Sequence, residues 1–313
     1  ELGFRGDPRE LFRALNRDQT GTLLFHHFAS EAALQVAGLL QWAREQHGGL
    51  QGVLSSVDAG VRISRGQFRR LLRAGGRPGE EGVDHAFDLI DREGSGSITS
   101  LQARLLDKWD FPEWLTAPPD PDHAVACKAK LIARCQGNPL LAWRRLDVNG
   151  KMQVSWHDFR HTCRRYLLAE DCGKLAAAWR AMDDDLSGQL SLEEFDPPTH
   201  AILVRFCHWA HQLSGSVTGI FPKLVPAGAY LGSGTAVSHY EFRQMLKPSH
   251  MPDAYVNTIF GGLDVDAGGS LSMSELRFLD QWRLPTDPEL QEVLALASEE
   301  APGRRQHSKE EAR

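Results

Sequence analysis

One short segment, residues 183–194 (DDDLSGQLSLEE), carries oxygen atoms at regularly spaced positions. A hard cation such as Ca²⁺ takes roughly six to eight oxygen ligands at short range. Gly188, at position 6 of the segment, allows the sharp bend that turns the flanking side chains toward one point. The segment therefore predicts a cation-binding loop. Its ligand candidates, from position 1 to position 12, are Asp183, Asp185, Ser187, the backbone carbonyl of Gln189, and Glu194.

A second segment, residues 264–275, nearly repeats this pattern. It differs at position 5, where Gly268 has no side-chain oxygen, so a water molecule must take that place. We therefore expect a second cation site with weaker affinity than the first. Its ligand candidates are Asp264, Asp266, the backbone carbonyl of Ser270, and Glu275.

Five further loops of the same length but poorer composition begin at positions 16, 56, 91, 147 and 230. In all seven loops position 8 is apolar, the type of residue that favours a short β bridge between two loops. Loop spacing predicts three pairs: 56 with 91, 147 with 183, and 230 with 264. The loop at 16 is left without a partner. The position-8 residues are Leu23, Ile63, Ile98, Val154, Leu190, Val237 and Leu271.

With these loops and the aromatic residues that flank them, the chain resembles multi-EF-hand proteins of the calmodulin-like superfamily. The resemblance implies an all-α fold of tandem helix–loop–helix pairs, with short antiparallel β bridges between paired loops, arranged as two lobed copies. It also implies Ca²⁺ as the bound ion.

We expect the other five loops not to bind calcium, because each lacks ligands or carries a competing group. The loops from 16, 56 and 91 have His27, Gln67 and Gln102 in place of the bidentate glutamate at position 12. The loop from 147 has Lys151 at position 5 and Met152 at position 6, and the loop from Tyr230 has no carboxylate before Glu241. These loops are predicted to be structural partners.

A longer duplication contains the loops. Residues 14–54 match residues 181–221 at a constant offset, and the segment LDKW at 106–109 matches LDQW at 279–282. We therefore predict a first EF-hand copy at 1–116, a proline-rich linker at 117–126, and a second copy at 127–285. Because the first copy lacks the counterpart of the loop at 147, we expect the natural protein to extend upstream and carry another hand there.

The last segment, 286–313, is predicted to hold a short helix followed by a disordered tail. In residues 287–298, Leu290, Val293, Leu294 and Ala297 form one apolar face. That face either docks against the second copy or, because the segment is short, frays in solvent.

Composition limits the function classes. A net charge of −6 argues against a nucleic-acid partner, and no apolar run is long enough for a membrane helix. Five cysteines without a CxxC spacing favour a reduced, cytoplasmic protein. No nucleophile elbow, phosphate loop or other catalytic constellation occurs, so we predict that the chain is not an enzyme.

Two other clusters have a simpler interpretation. His157, His161 and Cys163 lack an evident fourth ligand, so a zinc site is disfavoured. The arginines Arg69, Arg70, Arg73 and Arg77 are interpreted as a solvated helix face and not as a surface for an acidic partner or a membrane.

Three functional hypotheses remain. The first is a calcium-responsive sensor or adaptor for an unknown protein target, with its two sites in the second copy. The second is a structural scaffold in which calcium only stabilises one half. The third is the regulatory portion of a larger protein.

Overall fold

The computed structural model describes residues 6–15, 23–58, 60–167, 169–224 and 236–285. The predicted helix at 287–298, most of the loop from position 16 and the first half of the loop from Tyr230 lie outside these residues. The described chain is mainly helical, in agreement with the predicted all-α class.

The helices follow the predicted helix–loop–helix order. In the first part of the chain they are α1 (Pro8–Leu15), α2 (Phe25–Phe28), α3 (Ser30–His47), α4 (Leu50–Val53), α5 (Arg65–Ala74), α6 (Val83–Ile90), α7 (Ser100–Asp107) and α8 (Pro121–Arg134). They continue with α9 (Pro139–Leu146), α10 (Trp156–Tyr166), α11 (Leu175–Met182), α12 (Leu192–Phe195), α13 (Pro197–Ser214), α14 (Phe221–Leu224), α15 (His239–Leu246), α16 (Asp253–Leu263) and α17 (Met273–Leu276). Short 3₁₀ turns cover Glu113–Leu115, Ala169–Lys174, Thr218–Ile220, Lys247–Ser249 and Arg277–Asp280.

Short strands join the loops in pairs. They are β1 (Ile63–Ser64), β2 (Ser97–Ile98), β3 (Gln153–Ser155), β4 (Gln189–Ser191), β5 (Ala236–Ser238) and β6 (Ser270–Ser272). β1 pairs with β2, β3 with β4, and β5 with β6. Ile63 lies opposite Ile98 and Val237 opposite Leu271, in antiparallel register. The three predicted loop pairs are therefore confirmed, and so is the role of position 8 in the bridges β1–β2 and β5–β6.

The chain divides into two compact units, one formed by residues 1–124 with 174–189 and the other by 125–173 with 190–313. In the first unit, the apolar side of α3 packs with α5, α6 and α7 around one core. Phe68 and Phe87, which flank the paired loops from 56 and 91, have ring centroids 5.8 Å apart in this core. They anchor the exiting and entering helices of neighbouring hands, as their positions predict.

In the second unit, α9 packs directly along α16. The Asn138 Nδ2 donates to the backbone carbonyl of Thr258 at 3.0 Å. Leu140 lies so close to Gly262 that a β-carbon there would stand 2.4 Å from the Leu140 Cγ. The entering helices of the loops at 147 and 264 are therefore in contact, a packing that the loop pairing alone does not predict.

The same carboxylate contact occurs in both halves of the duplication. The Asp107 carboxylate accepts from the backbone N–H groups of Leu50 at 2.7 Å and Gln51 at 3.0 Å. Asp280 accepts from those of Val217 at 2.6 Å and Thr218 at 3.2 Å. These two aspartates are the second residues of the LDKW and LDQW repeats. The repeated tetrapeptide therefore marks a side chain that caps the turn after each long helix.

Removing either cap should destabilise the protein. We expect Asp107→Ala and Asp280→Ala each to lower the free energy of unfolding by about 1–3 kcal/mol, because two backbone N–H groups lose a charged acceptor. Urea unfolding followed by circular dichroism measures the change. Asp110→Ala, an exposed aspartate close by, is the matched control and should leave stability within about 0.5 kcal/mol of the parent. Equal stability of all three variants would contradict a capping role.

Candidate metal centre

Four loops share one backbone conformation although their sequences differ. Positions 4 and 6 adopt positive φ in each, which a glycine accepts without strain and other residues rarely adopt. These pairs are Gly94 and Gly96 (63° and 73°), Gly150 and Met152 (68° and 58°), Leu186 and Gly188 (57° and 74°), and Ala267 and Gly269 (57° and 73°). The loop geometry is thus retained even where Met152 replaces the glycine.

In the loop at 183–194, the first aspartate closes the turn. Asp183 is fully buried, and its Oδ1 accepts from the Ser187 N–H at 2.9 Å while its Oδ2 accepts from the Gly188 N–H at 3.1 Å. The Asp185 Oδ1 accepts from the same Ser187 N–H at 2.9 Å. The Ser187 hydroxyl donates to the Gln189 carbonyl at 2.8 Å. Four of the predicted ligands are therefore held together by local hydrogen bonds.

Glu194 is held by the start of its own helix. Its Oε2 accepts from the backbone N–H and the hydroxyl of Ser191, both at 2.8 Å. One carboxylate oxygen from each of Asp183, Asp185 and Glu194 lies within 4.8 Å of the other two. Three carboxylates at this separation make a donor set for a divalent cation.

The loop at 264–275 reproduces the arrangement. The Asp264 Oδ1 and the Asp266 Oδ1 both accept from the Gly268 N–H at 2.8 Å. The Glu275 Oε2 accepts from the N–H of Ser272 at 2.8 Å. Asp264, Asp266 and Glu275 again bring one carboxylate oxygen each within 4.8 Å of the other two. Ser270 begins β6, and its carbonyl is the ligand that the sequence assigns to position 7.

One buried atom tests whether a cation fits this second loop. The Glu275 Oε1 is buried and has no hydrogen-bond partner. A buried carboxylate oxygen without a partner costs free energy, and coordination of a cation would satisfy it. The donor set of hard oxygens suits Ca²⁺ or Mg²⁺ better than a softer transition metal. The residues present therefore fit a divalent cation.

Gly188 has a second reason to be glycine. A β-carbon there would stand 3.3 Å from the His26 Nε2 and 3.3 Å from the Trp114 Cζ2. His26 and Trp114 are packed edge to face, with ring centroids 5.5 Å apart. The bend of the first loop thus lies against an aromatic surface, and this contact had no signal in the loop sequence.

The loop from 91 keeps the fold but lacks the ligands. The Asp91 Oδ1 accepts from the Ser95 N–H at 2.9 Å. Desolvation raises the pKa of Asp91, but the hydrogen bonds from Ser95 and Gly96 outweigh it, so the pKa is lowered. At position 12, where the loops at 183 and 264 have a glutamate, the Gln102 Oε1 accepts from the Thr99 N–H at 2.8 Å. The Arg62 Nη1 donates to the hydroxyls of Ser95 and Ser97 at 3.3 Å and 2.9 Å. A guanidinium therefore contacts the serine at position 5, the position where Ser187 is a predicted ligand in the loop at 183.

The loop from 147 contains a carboxylate that the sequence analysis missed. Asp158 stands at its position 12 and accepts from the Ser155 hydroxyl at 2.9 Å. Asp147 accepts from the backbone N–H groups of Lys151 and Met152 at 2.9 Å and 3.0 Å. Burial raises the pKa of Asp147, against the effect of these bonds. The position of Asp158, eleven residues after Asp147, was the signal.

The two other clusters are not assembled as sites. His157 and His161 lie on the exposed side of α10, whereas Cys163 is buried. Within the described residues, groups of three or more potential His, Cys, Asp or Glu ligands occur in the two acidic loops alone. Arg69 and Arg73 form ion pairs with Asp84 and Glu80, so part of the basic cluster is neutralised internally.

A comparison with known protein families supports the EF-hand interpretation for one segment of the chain. Residues 60–100 match the family model of an EF-hand domain pair. This segment contains the β1–β2 pair, whose loops lack the glutamate ligand at position 12. No curated protein and no solved structure matches the chain significantly. The chain therefore contains an EF-hand pair, and EF-hand domains bind divalent cations, typically Ca²⁺.

Across the described residues, no helix combines the length and the apolar character needed to cross a bilayer.

Completing position 5 should strengthen the second loop. We expect Gly268→Ser to tighten calcium binding at this loop by about three- to tenfold, because the serine adds the oxygen that Ser187 supplies in the first loop. The φ of Gly268 is not in the positive region, and the nearest atom to a new β-carbon is the Asp266 Oδ1 at 2.9 Å, a side-chain atom that can shift. Calorimetric titration in a Glu194→Gln background measures the second loop by itself.

The matched control is Gly268→Ala, which adds the β-carbon without the oxygen. If alanine tightens binding as much as serine, the effect is one of backbone rigidity and the ligand argument is wrong.

Proposed function

We propose that this chain is a calcium-binding protein of the calmodulin-like EF-hand class. In this proposal it consists of seven EF-hand-like repeats in two lobed copies. Two loops of the second copy, 183–194 and 264–275, bind calcium, and the other five serve as structural partners. The observation that carries the proposal is the pair of acidic triads, each on a loop of the same conformation. The ion when bound supplies a positive centre that neutralises three clustered carboxylates.

The residues of each loop have distinct parts in this proposal. Asp183, Asp185, Ser187, the Gln189 carbonyl and Glu194 hold the first ion. Asp264, Asp266, the Ser270 carbonyl and Glu275 hold the second. The serine at position 9 of each loop, Ser191 or Ser272, fixes one oxygen of the glutamate. The glutamate is therefore oriented before an ion arrives, which lowers the ordering cost of binding.

Calcium titration tests the two sites. We expect two ions per chain, with affinities in the range of about 10⁻⁷ to 10⁻⁵ M and the loop at 264 the weaker. Glu194→Gln should abolish the tighter site and Glu275→Gln the weaker one, each leaving the other measurable, because the change removes one charge and a bidentate ligand. Gln102→Ala, at position 12 of a loop without that carboxylate, is the control and should leave both sites intact.

A stoichiometry of zero, or of four or more, is incompatible with this assignment.

We propose further that calcium binding serves a sensor or adaptor role toward an unidentified protein target. EF-hand pairs that act as sensors change the angle between their helices and expose an apolar groove. Calcium should therefore increase the fluorescence of an apolar dye such as ANS, and the increase should be absent in the Glu194→Gln, Glu275→Gln double variant. Calcium binding without any change in dye fluorescence would exclude the sensor role.

A structural scaffold is the second candidate, and one observation favours it. The aspartate at position 1 already closes four loops by hydrogen bonds to backbone N–H groups. A loop folded in this way needs little rearrangement to bind an ion, so calcium would raise stability without reshaping the helices. Calcium would then raise the unfolding temperature of the protein but leave the dye signal unchanged.

The remaining assignments rest on sequence. We propose that the chain is not an enzyme and takes no nucleic acid. We propose the cytoplasm as its compartment, because five cysteines without a paired framework suit a reducing environment. The third hypothesis, a regulatory portion of a larger protein, stays open beside the other two.

A further inference from the structure

The second proposed calcium loop lies against the hand at 147, which has Lys151 and Met152 at positions 5 and 6 of its own loop. The Arg145 Nη2, at the end of α9, donates to the backbone carbonyl of Val265 at 2.9 Å. Val265 is position 2 of the loop at 264–275. Together with the bond from Asn138 to Thr258, this bond ties the two ends of α9 to the middle of α16 and to the loop that follows α16. The loop at 264 therefore has two structural neighbours: the hand at 230 through β5 and β6, and the hand at 147 through α9.

Arg144, one residue earlier, is held in this interface. Its side chain is 13 % exposed, and its guanidinium carbon stands 3.7 Å from the ring centroid of Phe278. Phe278 follows Glu275 by three residues, within a helical turn, so the two side chains project from neighbouring points of the same surface. Gly150 packs against both residues, since a β-carbon there would stand 3.0 Å from the Phe278 Cβ and 3.6 Å from the Arg144 Nη1. The positive charge is thus fixed by packing and cannot swing into solvent without breaking the stack.

The charges around Arg144 are acidic. Its Nη1 stands 3.5 Å from the Oδ2 of Asp147, which is fully buried. Burial lowers the pKa of Arg144, and the carboxylates of Asp147 and then Glu275 oppose that effect. The Arg144 guanidinium therefore lies beside Asp147 and, through Phe278, beside the turn that follows Glu275, a predicted calcium ligand of another hand. The Arg144 Nε and the Glu275 Oε1 belong to side chains of opposite charge. Both atoms are buried and neither has a hydrogen-bond partner.

We propose that Arg144 is an internal counter-cation for Glu275 that sets the calcium affinity of the loop at 264–275. Without calcium, the guanidinium offsets part of the negative charge of the ligand cluster. A bound calcium ion would be repelled by the nearby guanidinium, which would weaken binding. The hand at 147 thereby regulates the second site without binding an ion. This inference rests on the proposed calcium site at that loop.

The test isolates the second loop in the Glu194→Gln background. We expect Arg144→Met, which keeps the apolar stem over Phe278 but removes the charge, to tighten calcium binding by roughly three- to tenfold. Arg144→Lys keeps the charge and should leave the affinity close to that of the parent. Arg164→Met, at an exposed arginine of α10, makes the same change in net charge and should have little effect. If Arg144→Met does not fold, as judged by circular dichroism, Arg144→Gln replaces it.

The outcomes separate the inference from the site itself. If the parent binds one calcium ion and Arg144→Met binds it no tighter, the inference is overturned and the site stands. If Arg144→Met and Arg144→Lys both weaken binding, Arg144 is only a packing residue and the inference is again overturned. If the parent binds no calcium, the assignment of the second site is wrong and the inference on its affinity falls with it.

A measurement without calcium checks the interaction directly. In EGTA, Arg144→Met should destabilise the protein more when Glu275 is present than in the Glu275→Gln background, because the lost attraction involves the carboxylate charge. The four proteins form a double-mutant cycle, measured by urea unfolding. Equal effects of Arg144→Met in the two backgrounds would show that the two side chains do not interact and would overturn the inference.

Discussion

In four of the loops, the aspartate at position 1 accepts hydrogen bonds from the backbone N–H groups four and five residues later, and this contact is the constraint on which the other features of those loops depend. It occurs in the loops of Asp91, Asp147, Asp183 and Asp264. A carboxylate that accepts two such bonds forces the intervening residues into a tight turn, so position 4 takes positive φ even where the residue is Leu186 or Ala267. The turn then places position 8 at the bridge, which pairs one hand with the next. Because these contacts are made within the chain, a hand that lacks some ligands, such as the one at 91, has the same loop conformation.

The features that followed from sequence are those set by local spacing. Ile63 opposite Ile98 and Val237 opposite Leu271 were predictable, because the residue at position 8 faces the partner loop whenever two loops pair. The clustering of three carboxylates in the loops at 183 and 264 was predictable for the same reason, since the geometry is fixed within twelve residues of chain. For contacts between residues far apart in the sequence, the internal duplication was a weaker predictor than the loop spacing. It identified LDKW and LDQW as equivalent, and the structure shows why: the aspartate of each caps a turn more than fifty residues earlier.

Contacts between helices that are distant in sequence were not predictable. The packing of α9 on α16 depends on shape complementarity, such as Leu140 filling the space above Gly262, and a single sequence does not encode which surfaces meet. Arg144 illustrates the difficulty. As the residue three positions before a degenerate loop, it has the pattern of an ordinary solvent-facing arginine. Only the fold places it on Phe278, a residue of another hand, and beside the buried carboxylate of Asp147. Asp158 is a different case, because the sequence alone places it at position 12 of the loop from 147. The unfavourable Lys151 and Met152 of the same loop had suggested that no ligand set remained there.

We expect the two proposed sites to differ in calcium affinity for two separate reasons, and the free energies involved are small. A tenfold difference in affinity corresponds to about 1.4 kcal/mol. The side-chain oxygen that Gly268 lacks and the charge that Arg144 places near Glu275 are each expected to contribute on that order or less. Neither change disturbs the loop, because Asp264 closes the turn through backbone N–H groups that every residue except proline carries. In such a fold, affinity at one loop is adjusted by residues that make no bond to the ion. Under the proposed assignment, a degenerate hand in contact with a calcium-binding one has a physical means of setting the calcium concentration at which its neighbour fills.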